Sequence, residues 1–420
     1  MSRPQPLYSL SQVADILSVS KAVVKSWEKS GKLMPRVPGD RRDPIFALED
    51  IREIDPENPF FRKGPPPARP TPLRPYRLIE LFAGAGGLAL GLERAGLESI
   101  LLNELDKNAC ATLKANRPDW NVVQGSVAGI DFKPYRGKTD ILTGGFPCQA
   151  FSYAGKKLGF RDTRGTLFYE WARAIDESQP AMIVAENVRG LLSHDGGKTL
   201  QTMLAVIREL GYTPLEPQVL KAIHHRVPQK RERLILAAFR NDIAEHVDFE
   251  WPIPDGRIFT VGDALKRGDL FPTDVPKSGG QSYQESKREV MDLVPPGGYW
   301  RDLPDQMQRD YMLKSYFLGG GKTGMARRMS WDEPCLTLTC SPAQKQTERC
   351  HPSETRPFTT RKYARIQTFP DDWKFCGPQG SIYRQIGNAV PVNLAERLGL
   401  SIVAEMNRIE SAQGAKAFRK

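Results

Sequence analysis

Apolar positions recur at helical spacing near the start of the chain. Leu10, Val13, Ala14, Ile16 and Leu17 share one face, residues 18–20 interrupt the run, and Ala22, Val23 and Trp27 resume it over 21–29. The pattern predicts a helix, a short turn and a second helix. A loop carrying Gly31, Pro35, Pro38 and Gly39 follows, then Arg41 and Arg42, then an apolar return at Ile45, Phe46 and Leu48 before a polar helical end. From Tyr76 onward the period alternates between that of strands and that of helices. Residues 77–82 (RLIELF) read as a strand running into a glycine loop at 83–87, and 88–95 as a helix closed by Gly96; a second strand at 99–103 precedes a helix at 107–116. Apolar strands are predicted again at 140–143, 182–185 and 234–239, with amphipathic helices such as 199–210 between them. Strands alternating with helices make an open α/β sheet. After Arg240 the regularity fades, and helical patterns return only at 360–368 and 391–406, the last expected to rejoin the sheet.

A length of 420 residues exceeds one ordinary domain, and an apolar content of 40% supports a large core. The proline-rich, basic stretch FFRKGPPPARPTPLRP reads as an extended, semi-rigid spacer. It divides the chain into a module at 1–56, a linker at 57–75, a sheet domain at 76–240, an irregular lobe at 241–355 and a C-terminal return at 356–420. Module 1–56 resembles the winged helix-turn-helix of the MerR and excisionase type, which implies a second helix entering the DNA major groove and wing arginines meeting phosphates. A small helical docking or dimerisation module fits the same pattern. Sixty Lys and Arg against 49 Asp and Glu give a net charge of +11, which favours nucleic acid as partner ahead of an anionic membrane surface. No apolar run suggests a membrane span, and the start MSRPQPLYSL lacks the regions of a signal peptide, so a soluble intracellular chain is expected. Six scattered cysteines without CxxC pairs suggest neither a disulfide scaffold nor a structural metal, and no metal site is expected.

The chemistry begins at the loop 82–87 (FAGAGG). Glycines let a backbone pass close to a ligand, a helix start offers free N–H groups, and Glu104 at the end of the second strand can accept hydrogen bonds from ribose hydroxyls. A nicotinamide enzyme and an S-adenosylmethionine enzyme both fit this much. The segment GGFPCQ at 144–149 adds a cysteine, Cys148, at the carboxyl edge of the sheet, where ligands of such folds bind and an exposed thiolate can act as a nucleophile.

With Cys148 in place, the chain resembles the DNA (cytosine-5)-methyltransferases of bacterial restriction-modification systems. The matches run in the family's order: residues 82–87, Glu104, GGFPCQ at 144–149, Glu186-Asn187-Val188, QKRER at 229–233, RKYARIQTFPDD at 361–372 and QIGNAV at 385–390. The resemblance implies a Rossmann-like class I S-adenosylmethionine-dependent methyltransferase sheet with a smaller target-recognition domain. It implies that Cys148 adds to carbon-6 of a cytosine flipped out of double-stranded DNA, that Glu186 acts at ring nitrogen 3, and that Arg233, with Arg231 on the same side of a strand, holds the base. It gives the S-adenosylmethionine pocket as Phe82, Gly84, Gly87, Glu104, Pro147, Leu167 and Asn388. Where the family commonly has an acidic residue, Ser126 stands here and is expected to accept from the adenine amino group instead.

Further expectations concern the partners. The loop 151–164, with its glycines and cations, suits closure over DNA, and a plain solvated loop is the alternative. The lobe occupies the position of the target-recognition domain, and Lys345, Arg349 and Arg356 in 341–357 are candidates for DNA contact; Cys350 beside His351 makes only a weak metal pair. A monomer on DNA, a cognate restriction endonuclease sharing the target, and a cytoplasmic, nucleoid-associated location in a bacterium complete the picture. A transfer-RNA cytosine methyltransferase shares the chemistry, but the long lobe and the N-terminal module suit duplex DNA better. A non-catalytic DNA-binding regulator is disfavoured by Cys148, Glu186 and Arg233 occurring together.

Overall fold

The computed structural model describes residues 7–36, 44–61, 68–146, 166–318 and 322–413. The N-terminal unit pairs β1 (Leu7–Ser9) antiparallel with β2 (Ile45–Ala47) and adds α1 (Leu10–Ile16), α2 (Lys21–Lys29) and α3 (Leu48–Ile54). Ser9 caps α1 in a reciprocal box with Gln12, and Ser20 caps α2, so the predicted turn lies between two capped helices. Arg41 and Arg42 lie outside the described residues.

The stretch 57–75 is pinned at both ends instead of forming a free spacer. Phe60 and Phe61 are buried in the N-terminal core, whereas Arg69 pairs with Glu396 and Arg74 with Asp140 and Glu410. Its apolar and basic residues find partners on either side, which the proline content alone does not reveal.

The sheet is built from β3 (Tyr76–Leu81), β4 (Leu97–Glu104), β5 (Val122–Gln124), β6 (Ile141–Gly144), β7 (Met182–Val188), β8 (Tyr212–Pro214), β9 (Gln218–Lys221) and β11 (Glu232–Arg240); a two-residue β10 (Gln229–Lys230) pairs elsewhere with β12 (Cys335–Leu336). Its order is β5-β4-β3-β6-β7-β11-β8, with β9 also on β11. Strands β3 to β7 run parallel, and β11 is antiparallel to its neighbours. Successive residues serve opposite faces. Leu78, Ile141, Val184 and Ile235 pack beneath α4 (Gly87–Ala95) and α13 (Val392–Gln413), while Ile79, Leu142, Ile183 and Leu234 pack beneath α6 (Leu167–Ser178) and α7 (Lys198–Glu209). Helix α5 (Lys107–Asn116) flanks β4 and β5. The connections leave β3 toward β4 and leave β6 toward β7, so the order reverses between β3 and β6, the place at whose carboxyl ends sheets of this kind form their ligand crevice.

In the irregular lobe, α8 (Val261–Leu265) packs with the return segment around Tyr363 and Ile366, while α9 (Glu285–Asp292) and α10 (Asp305–Met312) surround a small core of Met291, Trp300, Met312 and Met325. In the return, α11 (Thr360–Ile366) and α13 stand where helical patterns were read; α12 (Gln379–Asn388) was not predicted. Among the described residues, no helix is long and apolar enough to cross a membrane.

Candidate active site

The end of β3 turns sharply into the glycine loop. Phe82 has φ +61°, a conformation that costs a non-glycine residue about 1–3 kcal/mol and is commonly held where function requires it. Its ring is half-buried beside the core that also takes Leu167, the first residue of α6. Gly84 follows at φ +56°, and a Cβ built there meets nothing within 4 Å, so its left-handed backbone faces open space. The Gly84 N–H donates to Glu104 Oε2 at 2.8 Å, while Leu105 and Asp106 N–H groups donate to Oε1 at 2.9 and 2.7 Å. Glu104 thereby fastens the glycine loop to the end of β4. Gly125 in turn donates to the Glu104 carbonyl, and the Asn103 amide donates to the carbonyls of Val123 and Gly125, bringing the end of β5 alongside. Ser126 stands there exposed, its hydroxyl accepting from Ala128 N–H at 3.3 Å.

Gly87 proves to need its hydrogen for a different reason from the one expected. A Cβ there would lie 2.2 Å from the Val390 carbonyl oxygen, so the close approach is to the chain's own C-terminal segment.

Across the switch point, β6 ends in Gly144, Gly145 and Phe146. A Cβ on Gly144 would lie 2.7 Å from Trp171, and one on Gly145 would lie 3.1 Å from Glu186 Oε2, so the chain here runs hard against both. The Asn187 amide donates to the Phe146 carbonyl at 3.0 Å. Pro147, Cys148 and the loop 151–164 lie outside the described residues.

Glu186 belongs to β7, which extends past the predicted end. In the register with β11 it faces Ile235, and Arg233 faces Val188, so Glu186 and Arg233 are diagonal neighbours on one face. Arg233 Nε lies 2.5 Å from Glu186 Oε1, and both side chains are largely shielded from solvent. Arg231 falls in the break between β10 and β11, where strand alternation does not set its direction. It is 2% exposed and donates to the carbonyls of Leu338, Gly387 and Asn388 at 3.3, 3.1 and 3.4 Å. Burial, and then the charge of Arg233, pushes its guanidinium down to about 9. This is a clamp on the C-terminal segment, which corrects the expectation that Arg231 handles a substrate in the manner of Arg233. Asn388, at the end of α12, is exposed and accepts from Cys340 Sγ at 3.0 Å.

Other motif residues form a buried network that sequence reasoning missed. Gln229 donates to Gln367 at 2.8 Å and accepts from Leu338 N–H, Gln367 donates to the carbonyls of Ile386 and Ala389, and Tyr363 donates to the Thr339 carbonyl. Arg365 pairs with Asp371 and donates to main-chain carbonyls of Ala264, Thr273 and Asp274. Three motifs, 229–233, 361–372 and 385–390, are thereby stitched together. The available signal was amide and guanidinium side chains within otherwise apolar runs.

Arg349, expected to meet DNA, is 5% exposed and spends its donors on the carbonyls of Thr337 and Glu348. Lys345 lies 4.5 Å from the Tyr311 ring centroid, and Arg356 is ion-paired with Glu354 at 2.5 Å. Among the described residues, no group of three or more His, Cys, Asp or Glu side chains is arranged to hold a metal.

Comparison with known proteins accounts for this geometry. The model of the C-5 cytosine-specific DNA methylase family matches residues 76–404. The chain is 58% identical to the type II methyltransferase M.Eco47II of Escherichia coli over 96% of each chain, and 56% identical to M.PspPI of a Psychrobacter species over 97% of this chain and 98% of that one. It is 52% identical to M.Sau96I of Staphylococcus aureus over 79% and 77%. Among solved structures, a DNA modification methyltransferase candidate from an E. coli prophage superposes with a TM-score of 0.61 at 22% identity, covering 79% of this chain and 99% of that one. The Entamoeba histolytica methyltransferase EhMeth gives 0.52 at 16% identity, covering 81% and 99%, and shares the fold. An α/β sheet with its crevice between β3 and β6, matched by the family model along nearly all of its length, makes this chain a member of the C-5 cytosine-specific DNA methylase family and a DNA (cytosine-5-)-methyltransferase.

Proposed function

We propose that the protein methylates carbon-5 of a cytosine flipped out of double-stranded DNA, within a specific target sequence, through a covalent Cys148 intermediate, and that it protects host DNA in a restriction-modification system. The observation that carries the reading is the Glu186–Arg233 pair, 2.5 Å apart and backed by Gly145, beside the β6 end that leads in sequence to Cys148. Carbon-5 of cytosine is a poor nucleophile. Addition of the Cys148 thiolate to carbon-6 turns the ring into an enamine-like nucleophile, provided that ring nitrogen 3 is engaged by an acid. Glu186 serves nitrogen 3, and Arg233 donates to the ring carbonyl and steadies Glu186. A base in a duplex cannot reach this cleft, so the target must leave the stack.

The crevice fits S-adenosylmethionine. The open space at Gly84, the half-buried Phe82 ring, Glu104 and the polar ends at Ser126 and Asn388 supply an apolar face and ribose acceptors, with Leu167 beside Phe82. When bound there, the cofactor supplies an electrophilic methyl group on a sulfonium. The lobe at 241–355 is the target-recognition domain in this reading. The N-terminal unit adds a DNA contact through α2, whose Lys21, Lys25 and Lys29 recur every four residues and are exposed. The enzyme acts as a monomer, with a cognate endonuclease sharing its target.

Bisulfite sequencing of host DNA expressing the protein tests the reading. One methylated cytosine within a recurring sequence is expected, with loss of the signal in Cys148→Ser. Full activity in that variant overturns the nucleophile, and absence of methylated cytosine in DNA overturns the substrate.

A further inference from the structure

We infer that helix α1 of the N-terminal unit walls the cavity beside Arg233, and that its Asp15 is a positioning residue for methyl transfer. That cavity, of about 330 Å3, is lined by Asp15 together with Lys230, Arg231, Arg233 and Thr337. Lys230 Nζ lies 2.8 Å from Asp15 Oδ2 and donates to Ser11 Oγ at 2.7 Å, with Glu333 of the lobe at 3.7 Å on its other side. The main-chain oxygen of Lys230 accepts from the Thr337 hydroxyl. Lys230 is thus the point at which the N-terminal unit, the lobe and the catalytic strand are fastened together, one residue before the Arg231 clamp and three before Arg233.

The attachment is a docked interface. Tyr8, Leu10, Val13 and Phe60 share one buried cluster with Ile223 and Ile258 of the body, and Val13 is fully buried. Lys221 adds bonds to Ser18 Oγ and the Asp15 carbonyl. These contacts set α1, and with it Asp15, against Lys230. Asp15 thereby acts with the Gln229 network and the Arg231 clamp in holding the turn 229–232, and its loss leaves the guanidinium of Arg233 less firmly set against Glu186. A displacement of about 1 Å at a reacting centre can cost as much as a hundredfold in rate.

The inference rests on the assignment of Arg233 to the base pocket, and the tests separate the two. In the full chain, Asp15→Asn is expected to lower kcat about tenfold, with KM for S-adenosylmethionine within about twofold of the parent and with Asp15→Glu recovering most of the loss. Lys230→Met is expected to lose a similar factor, and the double variant Asp15→Asn, Lys230→Met no more than the worse single one. Parental kcat in Asp15→Asn, or losses that multiply in the double variant, overturns the inference. Should Asp15→Asn fold poorly, Lys230→Met carries the test alone, and parental kcat and pH profile in that variant overturn the inference. Full activity in Cys148→Ser would instead remove the base-pocket reading, whatever Asp15 does.

Discussion

Two glycines of one loop should fail in opposite ways when each is changed to alanine. At Gly87 the added methyl would sit 2.2 Å from the Val390 carbonyl oxygen, 3.1 Å from Ala389 Cβ and 3.3 Å from Phe369 Cζ. Ordinary contacts need about 3.5 Å, so α4 and residues 389–390 must part by about 1 Å. Neither side yields cheaply. The same helix meets α13 through Gly91, whose Cβ would lie 2.4 Å from Ala395, and through Gly399, whose Cβ would lie 2.6 Å from Ala95. Opening one point of that seam loosens all of it. Overpacking of a tight core costs about 1–3 kcal/mol, and backbone on the receiving side puts Gly87→Ala near about 3 kcal/mol, a factor of about 150 in the folding constant. At Gly84 no atom stands in the way and the cost is that of a left-handed alanine, about 1–2 kcal/mol. Its methyl, however, enters the space proposed for the cofactor. Urea unfolding paired with titration of S-adenosylmethionine separates the two. Gly87→Ala should unfold at clearly lower urea, with near-parental affinity in its folded fraction. Gly84→Ala should stay closer to the parent in stability and bind at least about tenfold more weakly. A Gly87→Ala variant that unfolds at the parental urea concentration would refute the packing argument.

Arg233→Met leaves the Glu186 carboxylate without its partner in a largely shielded position; urea unfolding should register a loss of about 2–4 kcal/mol, below the full value for a wholly buried pair, and turnover should fall with it. Glu186→Gln keeps the shape and should cost far less stability, yet single-turnover methylation should drop by about 10²–10⁴-fold, and a smaller loss would deny Glu186 an acid–base role. Burial, chiefly, pushes His224 down to about 4 and His225 down to about 3, below the unfolded value of about 6.5. Between those limits the unfolded chain binds more protons, so this contribution is complete above about pH 6.5 and is lost as pH falls, by up to about 2 kcal/mol per histidine at pH 5. Unfolding midpoints at pH 7.5 and 5 should show the drop, and His224→Gln should reduce its slope.

The sheet was legible because both of its faces are covered: runs such as Met182 to Ala185 are apolar at every position, and each run ends where the chemistry begins. Helix α12 was not, because two of its positions are glycine. Gly387 is one of them, since a Cβ there would lie 2.3 Å from the Thr339 carbonyl oxygen, and the requirement for space erased the helical signal. The lobe was the least readable part. Its irregular backbone leaves carbonyls that no ladder satisfies, and Arg328 fills them, donating to Met291, Val294 and His351. In linear sequence such an arginine looks like a surface cation, which is how Arg349 came to be expected on DNA.

The same ambiguity explains why the motifs of this chain read as a list of site residues although their side chains do two different jobs. Glu104, Glu186 and Arg233 stand along the carboxyl edge of the sheet, and each is fixed by one strand end and its neighbour. Arg231, Arg365 and Gln367 bind main-chain oxygens of other segments, at 264–274, 338 and 386–389, and Gln229 joins them through Gln367 and the Leu338 N–H. The second job follows from topology. The chain leaves the sheet after β11, builds the lobe, and must return across the same edge, where among the described residues neither the return segment nor the lobe adds a strand to the large sheet. Without a ladder, the position of the return relative to the crevice depends on side-chain donors, and an arginine with five of them is the economical choice. A residue between two strands, as Arg231 is, can turn away from its neighbour Arg233 and serve this purpose. Spacing within a motif therefore identifies the crevice but does not say which of its residues faces the substrate.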